Sequence, residues 1–248
     1  MTIAIIGCMD RRLNEFFENM REGIIRERPG EDVYLIRDAG GGVKAVEKTI
    51  YELGITEIHD YTHTNCGAMK IALSASHKKR SELDEIEGSD DVYDTTVAPF
   101  VGEDYATPLD LEQKNTKLQM EELTHLKKVH PDLKISCDMI EIEKLVVPQT
   151  AGENVLVIGM AYSGKYSDIA EKYNLELSRI YFVQANNLDE IRPSIKLAVE
   201  KLSIHNAFFI SNGKAEDRTI ESWSNDKTLV DLFKKNLMTV PLNRTQPT

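Results

Sequence analysis

The sequence predicts an α/β protein in which a parallel sheet is flanked by helices and is followed by a second, related α/β unit. Short, continuously apolar runs, of which residues 2–7 are the first, are typical of buried parallel strands. These runs alternate with helical patterns, which is the order of β-α-β units. The same order returns after residue 152. A chain of 248 residues is long enough for one large domain or two small ones.

The charge balance excludes some partners. Lys and Arg number 30 against 41 Asp and Glu, which gives a formal net charge of −11. Nucleic acids and anionic membranes select for basic patches, so neither is expected as a partner. The longest apolar run falls far short of the ~20 residues that span a bilayer. No signal peptide is predicted either, so we expect a cytoplasmic protein. Three cysteines are too few for a disulfide framework.

The elements of the first unit follow from apolar periodicity. Residues 2–7 and 32–36 are predicted strands, and 57–62 is a third. A helix is predicted over 43–53, where apolar residues recur at helical spacing before a glycine ends the pattern. Another helix should begin near His63.

Residues 82–108 are predicted to be an acidic insertion. Seven of the thirteen residues from 82 to 94 are acidic and none is basic, which is typical of a solvated loop. A lid over a site is the alternative. A predicted helix over 109–129 follows. The alternating pattern of 133–142 then predicts an edge strand, in which Cys137 has a structural role.

The C-terminal part, residues 152–248, repeats the order of the first unit, residues 1–148. Three apolar runs and one helical pattern recur with similar spacing, at residues 154–159, 179–186, 191–202 and 206–212. A diverged internal repeat is the preferred interpretation, and two unrelated α/β halves are the alternative.

Residues that carry chemistry follow two of the predicted strands. Cys8, Asp10 and Arg12 come directly after the first strand, and His63 and Cys66 follow the third. Open α/β sheets place their ligands at the carboxyl ends of strands. If a helix starts at His63, the spacing of three brings His63 and Cys66 to one face, and the helix N-terminus favours a thiolate. Two thiolates and one imidazole form a catalytic zinc set whose fourth tetrahedral position is left to water.

Asp10 and Arg12 have a predicted role beside such a metal. In an extended backbone, side chains alternate, so Asp10 and Arg12 share the side of Cys8 while Arg11 points away. Zinc with two thiolates is formally neutral and acidifies its water less, so a carboxylate such as Asp10 would orient the nucleophile. A free carboxylate could also bind the zinc and close the site. A two-pronged hydrogen bond from Arg12 would restrain it. A surface ion pair is the plainer alternative for Asp10 and Arg12.

At these residues the sequence resembles the β-class carbonic anhydrases. The signature of that family, C-x-D-x-R followed by H-x-x-C, is present as Cys8-Met9-Asp10-Arg11-Arg12 and His63-Thr64-Asn65-Cys66. Residues 37–41 look like the family's R-N-A-G-G segment, with Asp38 in place of Asn. Asn115 and Leu123 in the long predicted helix also fit. The resemblance covers roughly residues 1–148.

The resemblance implies a fold, a metal and a reaction. The fold is a four-stranded parallel sheet flanked by helices. One Zn²⁺ per chain would be bound by Cys8, His63 and Cys66. A zinc-bound hydroxide, oriented by Asp10, would attack CO₂ to give bicarbonate, and Arg12 would restrain Asp10.

Three departures from the family limit this comparison. The motif begins at residue 8, so the N-terminal helical arm of the family is not expected, and the acidic insertion is unusual. The second half lacks the metal set, since Met160 stands near the place of Cys8 and Asn212 near that of His63. Family members are dimers with pockets at the subunit junction. A metal-free second half could supply the other wall of one pocket, making the chain a pseudo-dimer that could assemble further into a homo-oligomer.

Three alternatives remain open at the level of sequence. COS and CS₂ are linear triatomics that suit the same nucleophile as CO₂. A binding protein is also conceivable, in which the second half or the insertion blocks a metal site that has a regulatory or structural role. Residues 159–165 have the spacing of a phosphate-binding loop, but Tyr166 follows where a Ser or Thr would hold Mg²⁺. Residues 40–42 lack dinucleotide spacing and are predicted to bring the backbone close to the site.

Overall fold

The computed structural model describes residues 1–76, 98–103, 105–148, 152–202 and 204–240. The acidic run 82–94, and with it most of the predicted insertion 82–108, lies outside the described residues. Within the described part, no helix is both long and apolar enough to cross a membrane.

Seven strands form one sheet. In chain order they are β1 Thr2–Cys8, β2 Asp32–Asp38, β3 Glu57–His63, β4 Lys134–Ile140, β5 Val155–Gly159, β6 Ile180–Gln184 and β7 Asn206–Phe209. The spatial order is β4-β3-β1-β2-β6-β5-β7. All neighbours are parallel except β2 and β6, which meet antiparallel with Arg37 opposite Gln184. The prediction of an α/β protein with a mostly parallel sheet is confirmed.

Helices pack against the sheet. They are α1 Asn14–Glu27, α2 Glu47–Glu52, α3 Gly67–Ser76, α4 Pro108–Val129, α5 Tyr166–Lys172, α6 Leu188–Lys201, α7 Lys214–Ser224 and α8 Lys227–Lys235. The long helix α4 begins at a capping box, because the Thr107 hydroxyl accepts from the Asp110 amide while the Asp110 carboxylate accepts from Thr107. Pro108 at its first position suits a helix start.

The predicted strands are present because their apolar runs are buried on both faces. In β1 every residue from Ile3 to Cys8 is buried, as expected of a central parallel strand. The edge position predicted for residues 133–142 is also found, since β4 pairs only with β3 among the described strands.

Two helix predictions need correction. The helix expected over 43–53 is divided into a 3₁₀ turn, Lys44–Val46, and α2, because Val46 leaves helical geometry with φ −118° and ψ 21°. The helix expected near His63 begins only at Gly67. His63 instead ends β3, and the turn that follows contains Asn65 in the left-handed region with φ 56°.

The two halves of the sheet have matching registers. Gly7 of β1 lies opposite Arg37 of β2, and Gly159 of β5 lies opposite Gln184 of β6. Because Arg37 and Gln184 face each other at the junction, each half presents the same strand to the other. One apolar core runs through both halves. A diverged repeat remains a prediction.

Polar contacts also join the halves. The Arg11 guanidinium donates to the Ser178 carbonyl at 2.6 Å. The Asn14 amide donates to the carbonyls of Leu177 and Ile180 at 2.8 and 2.7 Å. Glu190 of α6 accepts hydrogen bonds at the start of α2, from the amides of residues 48 and 49 at 2.7 and 3.2 Å. Residues 152–240 therefore contact the turn that follows β1.

Candidate metal centre

Cys8, His63 and Cys66 meet at the carboxyl edge of the sheet. Cys8 is the last residue of β1, His63 is the last residue of β3, and Cys66 lies directly before α3. All three are buried, and their potential ligand atoms lie within 4.8 Å of one another. No other such group of three occurs in the part of the chain that the structure describes. The neighbouring strands β1 and β3 are parallel, so their carboxyl ends bring the two motifs together.

The geometry of these residues fits a tetrahedral zinc ion. The two sulfur atoms are 3.9 Å apart, close to the ~3.8 Å that two 2.3 Å Zn–S bonds span at a tetrahedral angle. His63 Nδ1 is 2.8 Å from the Thr64 carbonyl oxygen. A carbonyl only accepts hydrogen bonds, so Nδ1 carries the proton and Nε2 keeps its lone pair. Nε2 is buried without a hydrogen-bond partner among the described residues, which is the environment of a metal ligand.

The electrostatics of the thiols favour a cation at this place. The hydrogen bond with Cys66, together with burial, raises the pKa of the Cys8 thiol well above its usual value. The Cys8 thiolate is therefore stable only beside a positive charge. A divalent metal supplies that charge, and a Cys₂His set is suited to zinc.

Asp10 and Arg12 form a bidentate pair at the edge of the cluster. Arg12 Nε donates to both Asp10 carboxylate oxygens at 3.0 and 3.1 Å, and Nη2 donates to Oδ2 at 2.5 Å. Burial acts to raise the pKa of Asp10, but Arg12 and His63 outweigh it and the pKa is lowered. The charged carboxylate is therefore held in place by the arginine.

The explanation predicted for the pairing of Asp10 with Arg12, side-chain alternation along an extended backbone, is wrong. Asp10 and Arg12 do not continue an extended strand, because Asp10 caps the 3₁₀ turn Arg11–Leu13 and accepts from the Arg12 amide at 3.0 Å. The turn directs Arg12 back onto Asp10. Arg11 does point away, as predicted, and reaches Ser178 in the second half.

Comparisons with known proteins find relatives among solved structures alone. No protein-family model matches the chain, and neither does any curated protein. Seven chains of solved structures match. The carbonic anhydrase from Streptococcus mutans is 22% identical over 57% of this chain and 76% of its own, with a TM-score of 0.37. The β-carbonic anhydrase CcaA is 21% identical over 57% of this chain and 75% of its own, with a TM-score of 0.34. The carbonic anhydrase from Glaciozyma antarctica is 22% identical over 57% of this chain and 77% of its own, with a TM-score of 0.32.

The resemblance rests on the two sequence motifs and on the buried Cys₂His cluster that they form. The chain resembles the β-class carbonic anhydrases.

The third segment of the β-carbonic anhydrase resemblance lies beneath the turn that follows Cys8. Arg37 is fully buried and donates to the carbonyls of Cys8 and Asp10 at 2.7 and 3.0 Å. Its guanidinium lies 4.5 Å from the centre of the Phe17 ring. Burial, with the nearby Cys8, raises the pKa of Asp38 well above its usual value. A neutral carboxyl at this position can replace the family's asparagine, and it accepts from the Gly42 amide.

The glycines after β2 approach the β-carbonic anhydrase-like centre, as predicted. Gly40 and Gly41 have φ of 84° and 71°, which favours glycine. A Cβ on Gly41 would lie 3.1 Å from the Tyr61 carbonyl and 3.2 Å from the Cys8 amide. The Gly40 amide donates to Cys8 Sγ at 3.4 Å.

Sequence reasoning missed a polar face of α4 next to the centre. Glu112 accepts from the Cys66 amide at 2.9 Å, and Asn115 donates to the Gly40 carbonyl at 3.1 Å. The sequence did contain a signal for this face. Polar residues recur at helical spacing on the buried side of α4, at Glu112, Asn115 and Gln119.

The remaining motifs stay apart from the centre. Lys165 of the phosphate-loop spacing forms an ion pair with Glu22, and the helix behind it has seven residues. This arrangement does not support phosphate binding. Cys137 lies in the edge strand, where its thiol donates to Asp60 at 3.2 Å.

Proposed function

We propose that the chain hydrates CO₂ to bicarbonate with one zinc ion bound by Cys8, His63 and Cys66. One observation supports this most strongly. Two motifs that are 55 residues apart in sequence, at Cys8 and His63, meet in a buried Cys₂His set whose edge carries a restrained carboxylate. A zinc ion held there would lower the pKa of water and so supply a nucleophile at neutral pH.

The residues around the metal divide the remaining work. Three protein ligands leave one tetrahedral position for water. Asp10 is the hydrogen-bond acceptor for that water and orients it toward the substrate. Arg12 holds the Asp10 carboxylate, which would otherwise take the open position itself.

We further propose that residues 152–248 are a structural partner of residues 1–148 rather than a second catalyst. The second half contains no cysteine and one histidine, His205, so it cannot form another Cys₂His set. It does approach the first motif, because Arg11 of that motif donates to the Ser178 carbonyl at 2.6 Å. In this proposal the chain is a pseudo-dimer with one pocket.

Turnover of small substrates tests the proposed function. The zinc-loaded protein is mixed with CO₂, COS or CS₂, and proton or sulfide release is followed. We expect CO₂ hydration above the uncatalysed rate, and we expect Cys66→Ser to abolish it while Asn212→Ala retains it. If the protein turned over only COS or CS₂, the proposed substrate would be wrong and the proposed mechanism would be retained. A fully zinc-loaded chain that turns over none of the three would overturn the proposal in favour of a silent homologue.

A further inference from the structure

One face of α4 carries three polar side chains that are buried. Glu112, Asn115 and Gln119 are 3%, 4% and 9% exposed. The spacing of three and four residues puts them on one face of the helix. Buried polar groups destabilise a fold unless they are hydrogen-bonded, so the partners of this face indicate what it does.

Glu112 holds the turn that carries Cys66. Its Oε1 accepts from the Cys66 amide at 2.9 Å. Asn65 has φ 56°, in the left-handed region that residues other than glycine seldom adopt. Arg12 binds the same turn from the other side, donating to the Asn65 carbonyl at 2.8 Å. The position of Cys66 therefore depends on groups outside its own turn.

Asn115 holds the turn that contacts Cys8. Its amide donates to the Gly40 carbonyl at 3.1 Å, and the Gly40 amide donates to Cys8 Sγ at 3.4 Å. Gln119 donates to Asn115 Oδ1 at 3.0 Å and so fixes the orientation of that amide. Glu112 thus holds the turn of Cys66, and Asn115 holds the turn that contacts Cys8.

We propose that this face of α4 positions both zinc thiolates, with Glu112 acting on Cys66 and Asn115 acting on Cys8. The inference rests on the proposed zinc centre and deepens it. Cys8 ends β1, but Cys66 lies three residues beyond the end of β3, so the pairing of the two strands does not by itself fix the separation of the sulfur atoms. A rigid helix that bonds both turns does fix it, with about 4.5 Å of rise between the two side chains. Groups of this kind set the orientation of metal ligands and thereby the metal affinity.

The test measures zinc affinity by competition with a chromophoric chelator, alongside the melting temperature. We expect zinc affinity to fall about 10- to 100-fold in Glu112→Ala and several-fold in Asn115→Ala. Glu112→Gln keeps the acceptor oxygen and should restore affinity to within about threefold. Glu190→Ala is the matched control, because Glu190 also accepts amides at a helix start but lies at the junction. It should lower the melting temperature without changing zinc affinity.

Cobalt substitution gives a readout independent of activity. Thiolate-to-cobalt absorption bands should shift in Glu112→Ala and Asn115→Ala and stay unchanged in Glu190→Ala. If both α4 variants lose stability but keep zinc affinity and the cobalt spectrum, the helix has only a structural role and the inference is overturned. Should Glu112→Ala fail to fold, Asn115→Ala decides by the same criteria. A wild-type chain that binds no zinc would overturn the proposed function and this inference together.

Discussion

The two halves of the sheet share an order of elements, and they differ in the residues that follow the strands. Their registers align Gly7 with Gly159, which aligns Cys8 with Met160. The same comparison on the outer strands aligns His63 with Asn212. The same α/β framework therefore forms both with and without the residues of the Cys₂His cluster. The framework provides the place for a site, and a few side chains provide its chemistry.

The halves also differ in what they bury. Asp60 in β3 and Phe209 in β7 occupy matching register positions, and neither is exposed. Arg37 similarly matches Gln184. The half with the Cys₂His cluster thus buries ionisable side chains where the other half has an aromatic ring or an amide. Such groups are tolerated in a core when they are hydrogen-bonded, and here Asp60 accepts from the Cys137 thiol while Arg37 donates to the carbonyls of Cys8 and Asp10.

The largest expected effect is the difference between replacing Cys66, a proposed zinc ligand of the first half, and replacing Asn212 of the second half. Cys66→Ser removes a zinc ligand, so zinc content should fall from about one per chain to near zero, with turnover reduced at least ~1000-fold. Asn212→Ala, at the register position of His63, should change neither. Elemental analysis with CO₂ hydration kinetics measures both. Full zinc occupancy in Cys66→Ser would refute the ligand assignment.

Separating the halves is expected to have the next largest effect. Residues 1–148 alone would expose β2, including the buried residues Leu35 and Ile36, and would lose the partners of Arg11 and Asn14. We expect this fragment to associate or to lose activity. Light scattering and turnover, with the full chain as control, give the answer. A stable, fully active monomer would mean that the second half is dispensable and that the pseudo-dimer proposal is wrong.

A smaller effect distinguishes two neighbouring arginines. Arg12→Ala frees the Asp10 carboxylate to take the open zinc position, so turnover should fall about 10- to 100-fold with zinc retained. Arg11→Ala loses its bond to the Ser178 carbonyl in the second half, so it should cost about 1 kcal/mol of stability and leave turnover close to wild type. Unchanged turnover in Arg12→Ala would show that Asp10 needs no restraint.

The last effect, on stability rather than on turnover, concerns the buried acid that the second half lacks. Burial raises the pKa of Asp60 to about 8, while in the unfolded chain it is near 3.9. Between these values the folded state keeps a proton that the unfolded state has lost, so the free energy of unfolding falls as pH rises. Asp60→Asn should remove that decline, a relative gain on the order of 2–4 kcal/mol between pH 5 and pH 8.

Glu57, on the same strand, is the control for this prediction. Hydrogen bonds from Arg28 lower its pKa to about 2. The stability that this ionised carboxylate contributes is present above the unfolded pKa and is lost only as pH falls toward 2. Glu57→Gln should therefore shift the unfolding free energy by a constant amount from pH 5 to pH 8. A pH slope in Asp60→Asn equal to that of the wild type would contradict the buried-acid interpretation. Urea unfolding at several pH values measures each slope.

The sequence predicted the sheet better than it predicted the turns. Buried apolar runs such as β1 and β5 have one stable environment, the centre of a sheet, so their assignment was secure. The turns after the strands depend on distant partners. Asp10 faces Arg12 because of a 3₁₀ turn rather than strand alternation.

The role of Glu112 depends on contacts that no local pattern reports. A residue on α4 bonds a turn 46 positions earlier in the chain. A polar stripe on a buried helix face signals that partners exist, and only the fold shows which they are. The meeting of the two motifs in one buried cluster was predictable from sequence because both motifs lie at strand ends, where the fold class itself brings residues together.

Zinc K-edge X-ray absorption on the purified full chain, with zinc quantified in the same sample, tests the central claim most directly. The predicted result is one zinc per chain with two sulfur ligands near 2.3 Å, one imidazole nitrogen near 2.0–2.1 Å and one further light atom at the open position. Two zinc ions per chain, a four-sulfur shell, or a chain that purifies and reconstitutes without zinc would contradict a single Cys₂His centre confined to the first half.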